Sequence, residues 1–511
     1  MNEVPNAARA RLLPDARGAH SSRGDDGSRL TWPTRLRDRY PGEALLPASL
    51  VLLTLCVVVA AAYMGRLRDA LAVIVVLLLV PLFFRWPLSL VFIYLVVSTN
   101  LLETLPLQTK VMARLGPGLS FTAPDLVLLV MLVVSLVRLR NRRERPMFLG
   151  FVVLWTAYVV FQAVYGAIVG ETGLDLLTNM AQAQVGWLLY LMIVGLIDSP
   201  RDLRIYGWFF LAIMAVAVVY QVAEYAHGGR IVLVPAAASR SNYFTFTPTL
   251  KQGGITVPYL WSRANEVTCV GFFLAFAAAL GGRRFFPYGV LAAAGLLSVV
   301  LTQIRQMYLG VAIGMLVVLA VGRWRARTPV RIVALLAVLV VAVAVVSPLV
   351  SASFGGDPVG AWSLRVSQLV NYDAQANFAK RLDDARAIRE VVKGSPVFGF
   401  GWGTTYLNTR GESAANVFLL HGYLGTFMIL AMFVTVLAKA LRLAWRLRPS
   451  LEEAWLFGLV GAAVALAVGP DAFASGGFAV MVAVFVDRIS AFEADGRLWE
   501  PSASGLHRDP T

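Results

Sequence analysis

Long apolar runs, each interrupted by a short basic or Gly/Pro-rich stretch, set the pattern of this chain. They cover approximately 44–64, 69–84, 87–103, 123–138, 147–168, 184–198, 205–226, 264–281, 285–302, 306–322, 331–350, 416–438, 454–469 and 473–488. Most approach the ~20 residues an α-helix needs to cross a bilayer core. They do not alternate apolar and polar positions as the strands of an outer-membrane barrel would. The pattern therefore predicts an all-α, polytopic transmembrane helical bundle of about 12–14 spans. The runs 69–84, 454–469 and 473–488 are the weakest of these, being short, and only Gly469-Pro470-Asp471-Ala472 separates the last two.

The same pattern divides the chain. Residues 1–42, rich in Arg, Asp, Ser, Gly and Pro, are too polar to bury a core and read as a basic tail. They lack an apolar stretch followed by a small-residue cleavage site, so they do not read as a cleaved signal peptide. The bundle then occupies 43–350, a long polar segment 351–415, further spans 416–490 and a second tail 491–511. Within the long segment, Leu382, Ala385, Ile388 and Val392 recur at helical spacing over Phe378 to Lys393. Lys393-Gly394-Ser395-Pro396 then stops that helix. The expected result is an amphipathic helix lying over the mouth of the bundle.

Composition sharpens the class. Of 511 residues, 58% are hydrophobic and 15% charged, against about 25% charged in an ordinary soluble protein. A soluble globular enzyme and a disordered chain are excluded. The net charge of +15 is explained by basic loops that hold topology better than by nucleic acid. Arg138 to Arg143, Arg201 to Arg204, Arg283-Arg284, Arg323 to Arg331 and Lys439 to Arg448 all fall on one side, which the positive-inside rule makes cytoplasmic together with both termini. The loops 104–122, 169–183, 227–263, the turn from Thr302 to Gln306 and the segment 351–415 then face outward. Cys56 and Cys269 both lie in apolar runs, so no disulfide is expected.

Candidate chemistry concentrates on that outer side. The loop 227–263 holds Arg230, Arg240, Lys251 and Arg263 with no Asp or Glu. Arg230 and Arg240 read as solvated, whereas Arg263 directly precedes the span that opens Asn265-Glu266. Arg305 interrupts two apolar runs. An intramembrane arginine costs roughly 2.5–3.5 kcal/mol on insertion scales and so faces a cavity or a partner, or else snorkels to the interface. A guanidinium fork suits a phosphate or diphosphate. Lys380-Arg381-Leu382-Asp383-Asp384-Ala385-Arg386 alternates in sign, the mark of a solvated helix face. Gly399 and Gly401, in Gly399-Phe400-Gly401-Trp402-Gly403, could let backbone amides approach an anion or simply serve turns. The four histidines form no metal-ligand cluster, and there is no Walker or Rossmann fingerprint.

Three segments together carry a resemblance: Trp261 to Glu266, Leu301 to Gly310, and Arg381 onward through Ser395-Pro396-Val397-Phe398-Gly399-Phe400-Gly401 to Asn416-Val417-Phe418-Leu419. Over roughly 205–440 the chain resembles the O-antigen ligase and polymerase family of bacterial surface-polysaccharide assembly. The resemblance implies a multi-span protein of the bacterial plasma membrane with a large extracytoplasmic loop carrying helices. It implies transfer of a polyprenyl-diphosphate-linked glycan to a lipid-linked or other acceptor, without metal, nucleotide or other cofactor. Its implied partners are that lipid-linked glycan, membrane lipids and other polysaccharide-assembly proteins, with no nucleic acid. Arg305 and Arg381 would hold the donor diphosphate, Arg263 and Arg386 would assist, and Asn416 would stand beside the reacting groups. Ligases of the family carry a His immediately before that Asn; here the residue is Ala415, and neither Glu412 nor His421 is in register to replace it. The chain is then a polymerase with different chemistry or a catalytically altered relative. A lipid or polysaccharide transporter is the alternative from another class, and a polyprenyl-phosphate-sugar transferase is disfavoured because its usual acidic outer loop would have to fit in Gly65 to Asp69.

Overall fold

The computed structural model describes residues 86–98, 113–114, 120–121, 123–140, 142, 144–169, 175–227, 247–252, 255–259, 264–281, 285–302, 304–324, 328–354, 383, 386–401, 413–467 and 477–496. The tail 1–42, the expected spans 44–64 and 69–84, and the end of the chain from 497 lie outside them, as do Arg263 and Arg381. All described residues belong to one compact unit, Leu79–Thr511.

Helices dominate. They are α1 (Leu88–Ser98), α2 (Ala123–Arg140), α3 (Leu149–Val169), α4 (Asp175–Leu196), α5 (Pro200–His227) and α6 (Ala264–Gly281). Then follow α7 (Phe285–Thr302), α8 (Arg305–Val321), α9 (Thr328–Phe354), α10 (Ser413–Arg446), α11 (Leu451–Ala467) and α12 (Gly477–Ala494). Two short antiparallel ribbons accompany the helices. Ala113–Arg114 (β1) pairs with Ser120–Phe121 (β2), and Thr247–Gln252 (β3) with Ile255–Tyr259 (β4), the latter in the register Lys251↔Thr256 and Gln252↔Ile255. Both lie in loops, and the hydropathy pattern, dominated by the long apolar runs, did not predict them.

Among the described residues, four helices are long and apolar enough to cross a membrane: Leu149–Ile168 in α3, Pro200–Ala223 in α5, Phe285–Thr302 in α7 and Leu419–Arg446 in α10. Gly186–Leu196, Asn265–Gly281, Gln306–Val321 and Thr328–Ala344 are shorter apolar stretches. The physical distinction is position. The helix α6 packs against α5, α7, α9 and α11, and its side chains from Asn265 to Leu280 are nearly all buried. By contrast α10 leaves Tyr423, Phe427, Leu430 and Val434 exposed at i, i+4, i+7 and i+11, and α3 leaves Val153, Val160, Val164 and Ile168 exposed. Outward-facing apolar stripes of this kind mark contact with lipid or another apolar surface.

Small residues set the tightest crossing. A Cβ on Gly310 of α8 would run into the Ala465 carbonyl of α11, and one on Gly314 into the Gly461 carbonyl and the Phe273 ring. Such G-x-x-x-G spacing lets helices approach where lipid supplies no hydrophobic drive between them.

The basic loops meet at one end. The Arg142 guanidinium, in the linker between α2 and α3, donates to the carbonyls of Val194 (2.8 Å), Gly195 (3.3 Å) and Ile197 (2.9 Å) and pairs with Asp198. It thus caps the C-terminus of α4. Burial, opposed by Asp198, lowers its pKa from the ordinary guanidinium value. Arg331 caps α6 in the same manner, donating to Ala279 (3.0 Å) and Leu280 (2.5 Å). The Trp324 indole donates to the Val318 and Leu319 carbonyls, and Trp445 to that of Val321, closing α8. Arg204 at the start of α5 bonds Glu452 at the start of α11 (2.6 Å). Ser450 and Glu453 cap α11 reciprocally, at 3.1 and 3.2 Å. Beside them Asp487 of α12 is buried, taking the Met147 amide (2.5 Å), the Tyr190 hydroxyl and the Arg488 guanidinium (2.5 and 2.9 Å).

Candidate functional site

The opposite end holds the turn that carries Arg305. There the chain turns tightly from α7 into α8. Thr302 Oγ donates to the Val299 carbonyl (2.7 Å) and accepts the Ile304 amide (3.3 Å), while the Tyr308 hydroxyl reaches back to the Val300 carbonyl (2.7 Å). Arg305, expected within the turn from Thr302 to Gln306, is the first residue of α8. Its side chain lies outside the described residues. Helix N-termini carry unsatisfied amides and the positive end of the dipole, which suits an anion near this turn.

Beneath the turn three helices contribute polar side chains to an apolar core. Ser298 of α7 donates its hydroxyl to Gln221 Oε1 of α5, and Gln221 Nε2 donates to Asn265 Oδ1 of α6 (3.4 Å). All three are buried. Asn265 is in the first turn of α6, so the start of that helix and the Arg305 turn share one end of the α5–α6–α7 group. Sequence reasoning passed over Gln221 and Ser298. Their signal was available: a polar residue inside a run otherwise apolar, in Tyr220-Gln221-Val222 and Leu297-Ser298-Val299.

A separate candidate element is a broken helix. Inside α10, Gly422 has φ +59° and ψ −162°, which interrupts the helical ladder and frees backbone groups on both sides. The segment 395–401, called the strap below, supplies the missing partners. The amides of Phe400 and Gly401 donate to the carbonyls of Leu419 (2.8 Å) and Leu420 (3.0 Å), and the amides of Tyr423 and Leu424 donate to the carbonyls of Pro396 (2.9 Å) and Val397 (3.0 Å). Gly399 and Gly401 have φ of +70° and +72°. A Cβ on Gly399 would strike Leu420 and Gly422, and one on Gly401 would strike Gln162 and Gly166 of α3. Glycine is required at both positions by backbone sterics and by close approach.

The helix α3 clamps the strap from the other side. Gln162 Nε2 donates to the Phe398 carbonyl (2.8 Å) and to the Tyr158 hydroxyl (2.7 Å), and that hydroxyl donates to the His421 carbonyl (3.2 Å). The Tyr165 and Ser395 hydroxyls share a hydrogen bond of 2.9 Å. Phe398 packs on Phe161 and Tyr165 at 5.3 and 5.6 Å between ring centroids. Residues 386–392 are helical, and Ile388 and Val392 bury against Leu419 and Phe400. The amphipathic pattern thus seats on the base of the strap, and turns over 393–398 follow it at the Gly-Ser-Pro stop.

The predicted residues fare differently. Gly399 and Gly401 are at the junction, but their amides go to the Ser395 and Leu420 carbonyls, so the glycines build the strap instead of offering amides to an anion. Arg386 is 77% exposed and bonds Asp383 one turn earlier (3.3 Å), the solvated-face arrangement. Asn416 lies in the first turn of α10, beside Ala415 and less than two turns before the break; its side chain is outside the described residues. His421 is 0% exposed, walled by Trp155 and Tyr158 at 5.9 and 5.6 Å. A base needs reach to the proton it takes, and that enclosure removes His421 from consideration as one. Among the described residues no group of three or more His, Cys, Asp or Glu could hold a metal ion. No protein-family model matches the chain, and no curated protein matches it.

Proposed function

We propose that this protein is a polytopic enzyme of the bacterial plasma membrane that transfers a polyprenyl-diphosphate-linked glycan to a lipid-linked or other acceptor on the extracytoplasmic face. One observation carries the reading. The Pro396-to-Gly401 segment and the stretch of α10 that Asn416-to-Leu419 opens, fifteen residues or more apart in the chain, are joined by backbone hydrogen bonds from Phe400 to Leu419 and from Gly401 to Leu420 into one element at the end opposite the basic loops. Those are the segments whose likeness to the ligase and polymerase family suggested the activity. The twelve to fourteen spans expected from hydropathy belong to the same proposal.

In this reading Arg305 and Arg381 hold the donor diphosphate, with Arg263 close by. Fixed cations there stabilise the charge that develops on the leaving group, a contribution that needs neither metal nor nucleotide. The acceptor hydroxyl attacks the anomeric carbon, the bond to the diphosphate oxygen breaks, and polyprenyl diphosphate leaves carrying the hydroxyl proton on a phosphate oxygen. With Ala415 in the position of the family's histidine and His421 enclosed, catalysis rests on that charge stabilisation. A transporter also draws support from a broken helix. In α10, however, the break lies ten residues from the start of a 34-residue helix and is filled by the strap rather than left to line a cavity at mid-depth.

The test is reconstitution. Purified protein in liposomes with a polyprenyl-diphosphate oligosaccharide and a lipid-linked acceptor is followed by product length and by released polyprenyl diphosphate. Covalent growth matched by release is expected. Glycan that crosses to the other leaflet unchanged would establish transport instead. Topology has its own measurement: cysteines at Ser367 and Ser413, with Cys56 and Cys269 replaced, should react with an impermeant thiol reagent in whole cells, and protection until lysis would reverse the orientation.

A further inference from the structure

We infer that Gln162 of α3 is a positioning residue: its amide holds the 395–401 strap in the break of α10 and thereby sets where the first turns of α10, with Asn416, stand. This deepens the glycan-transfer reading and rests on it for the activity arm alone.

The argument begins with what the break demands. A helix interrupted at Gly422 leaves carbonyls and amides that need partners, and in a lipid-embedded bundle water is not at hand to supply them. Four strap-to-helix backbone bonds meet that demand. Backbone bonds alone do not select this register, because main-chain donors and acceptors are alike at every residue. Selection comes from side chains that recognise one strap residue. Gln162 does so: it is fully buried, and its Nε2 donates to the Phe398 carbonyl at 2.8 Å. Its own orientation is set by the Tyr158 hydroxyl at 2.7 Å, which also bonds the His421 carbonyl at the edge of the break. One side-chain network therefore touches both the strap and the broken helix. Tyr165 with Ser395, and Phe161 with Phe398, flank it.

The Gln162 backbone adds a second constraint. A Cβ on Gly401 would meet the Gln162 carbonyl and the Gly166 backbone, so α3 and the strap touch along their main chains at this point. Losing the Phe398 bond would leave a buried carbonyl unsatisfied against α3, and the strap would relax away from it. Asn416 sits three residues before Leu419, whose carbonyl takes the Phe400 amide. Movement of the strap is therefore felt directly in the first turns of α10.

Hydrogen exchange of the full-length protein in nanodiscs tests the seating without reference to activity. Gln162→Leu keeps the volume but removes the amide, and Gln162→Glu keeps the shape but removes the donor. Each variant should raise exchange in peptides covering 395–401 and 419–424 by about tenfold, the equivalent of one lost hydrogen bond, and leave α12 at wild-type protection. Wild-type protection of the strap in both variants would overturn the inference. In the reconstituted assay both variants should lower kcat with KM for the donor unchanged; a loosened strap with wild-type kcat would equally overturn the positioning role. A wild-type protein that transfers no glycan, while its variants still loosen the strap, would overturn the transfer reading and leave the seating intact.

Discussion

The two ends of the bundle solve the same problem with opposite chemistry. At the basic end, helices that stop are closed by charged or indole side chains: Arg142 on α4, Arg331 on α6, Trp324 and Trp445 on α8, with Asp487 and Arg488 buried side by side. At the other end the buried polar groups are neutral. Ser298, Gln221 and Asn265 form one chain, and Gln162, Tyr158 and the strap form another, built mainly from backbone bonds. The difference teaches where each end is committed. Cations already saturated by helix carbonyls and carboxylates serve architecture. The proposed reading assigns the charged substrate to the other end, at Arg305 and Arg381.

That contrast breaks first at Asp487. Asp487→Ala strands Arg488 in a buried site and should cost about 3–5 kcal/mol. We expect poor yield and a large drop in the melting temperature of detergent-purified protein. A variant as stable as wild type would mean that water reaches Arg488. Next is Arg305→Ala, which should leave stability unchanged and reduce transfer by the equivalent of about 1.5–3 kcal/mol, with Arg305→Lys a poor rescue. Normal polymer from both variants would make Arg305 an interface anchor and erase the functional side of the comparison.

A smaller effect is expected at Gly401. Gly401→Ala must adopt a left-handed backbone, at about 1–2 kcal/mol, and meets α3 as well. Thermal stability and transfer should fall together, in contrast to Arg305. The smallest effect belongs to Arg142→Ala. Losing a helix C-cap should cost about 0.3–2 kcal/mol of stability, with turnover untouched. Reduced turnover at full stability would show that the basic end takes part in the reaction. Finally, with His421 enclosed, the transfer rate should stay flat between about pH 6 and 8. A steep rise near about 6.5 that disappears in His421→Ala would reinstate His421 as the base.

Much of this was written in the linear pattern. The apolar runs gave the helices their places because an apolar stretch of that length has few alternatives to a helix. The gathering of Arg138, Arg204, Arg323 and Lys439 loops at one end followed from their alternation with those runs. The Thr302–Arg305 turn and the seating of Ile388 and Val392 were legible as a polar interruption and a helical period. What the pattern missed depends on contacts between distant segments. Hydropathy counts His421-Gly422-Tyr423 as part of one span; only the strap, offering four backbone partners, makes a break there affordable. Whether a glycine amide faces an anion or a carbonyl is likewise undecided by spacing, and the fold assigned Gly399 and Gly401 to carbonyls. The sequence by itself determined an apolar helical protein with one basic side, because those properties sum over local residues. The tertiary structure alone decided which helices face outward, which arginines are spent as caps and which polar residues meet, because each requires two segments far apart in the chain to satisfy one another's buried groups.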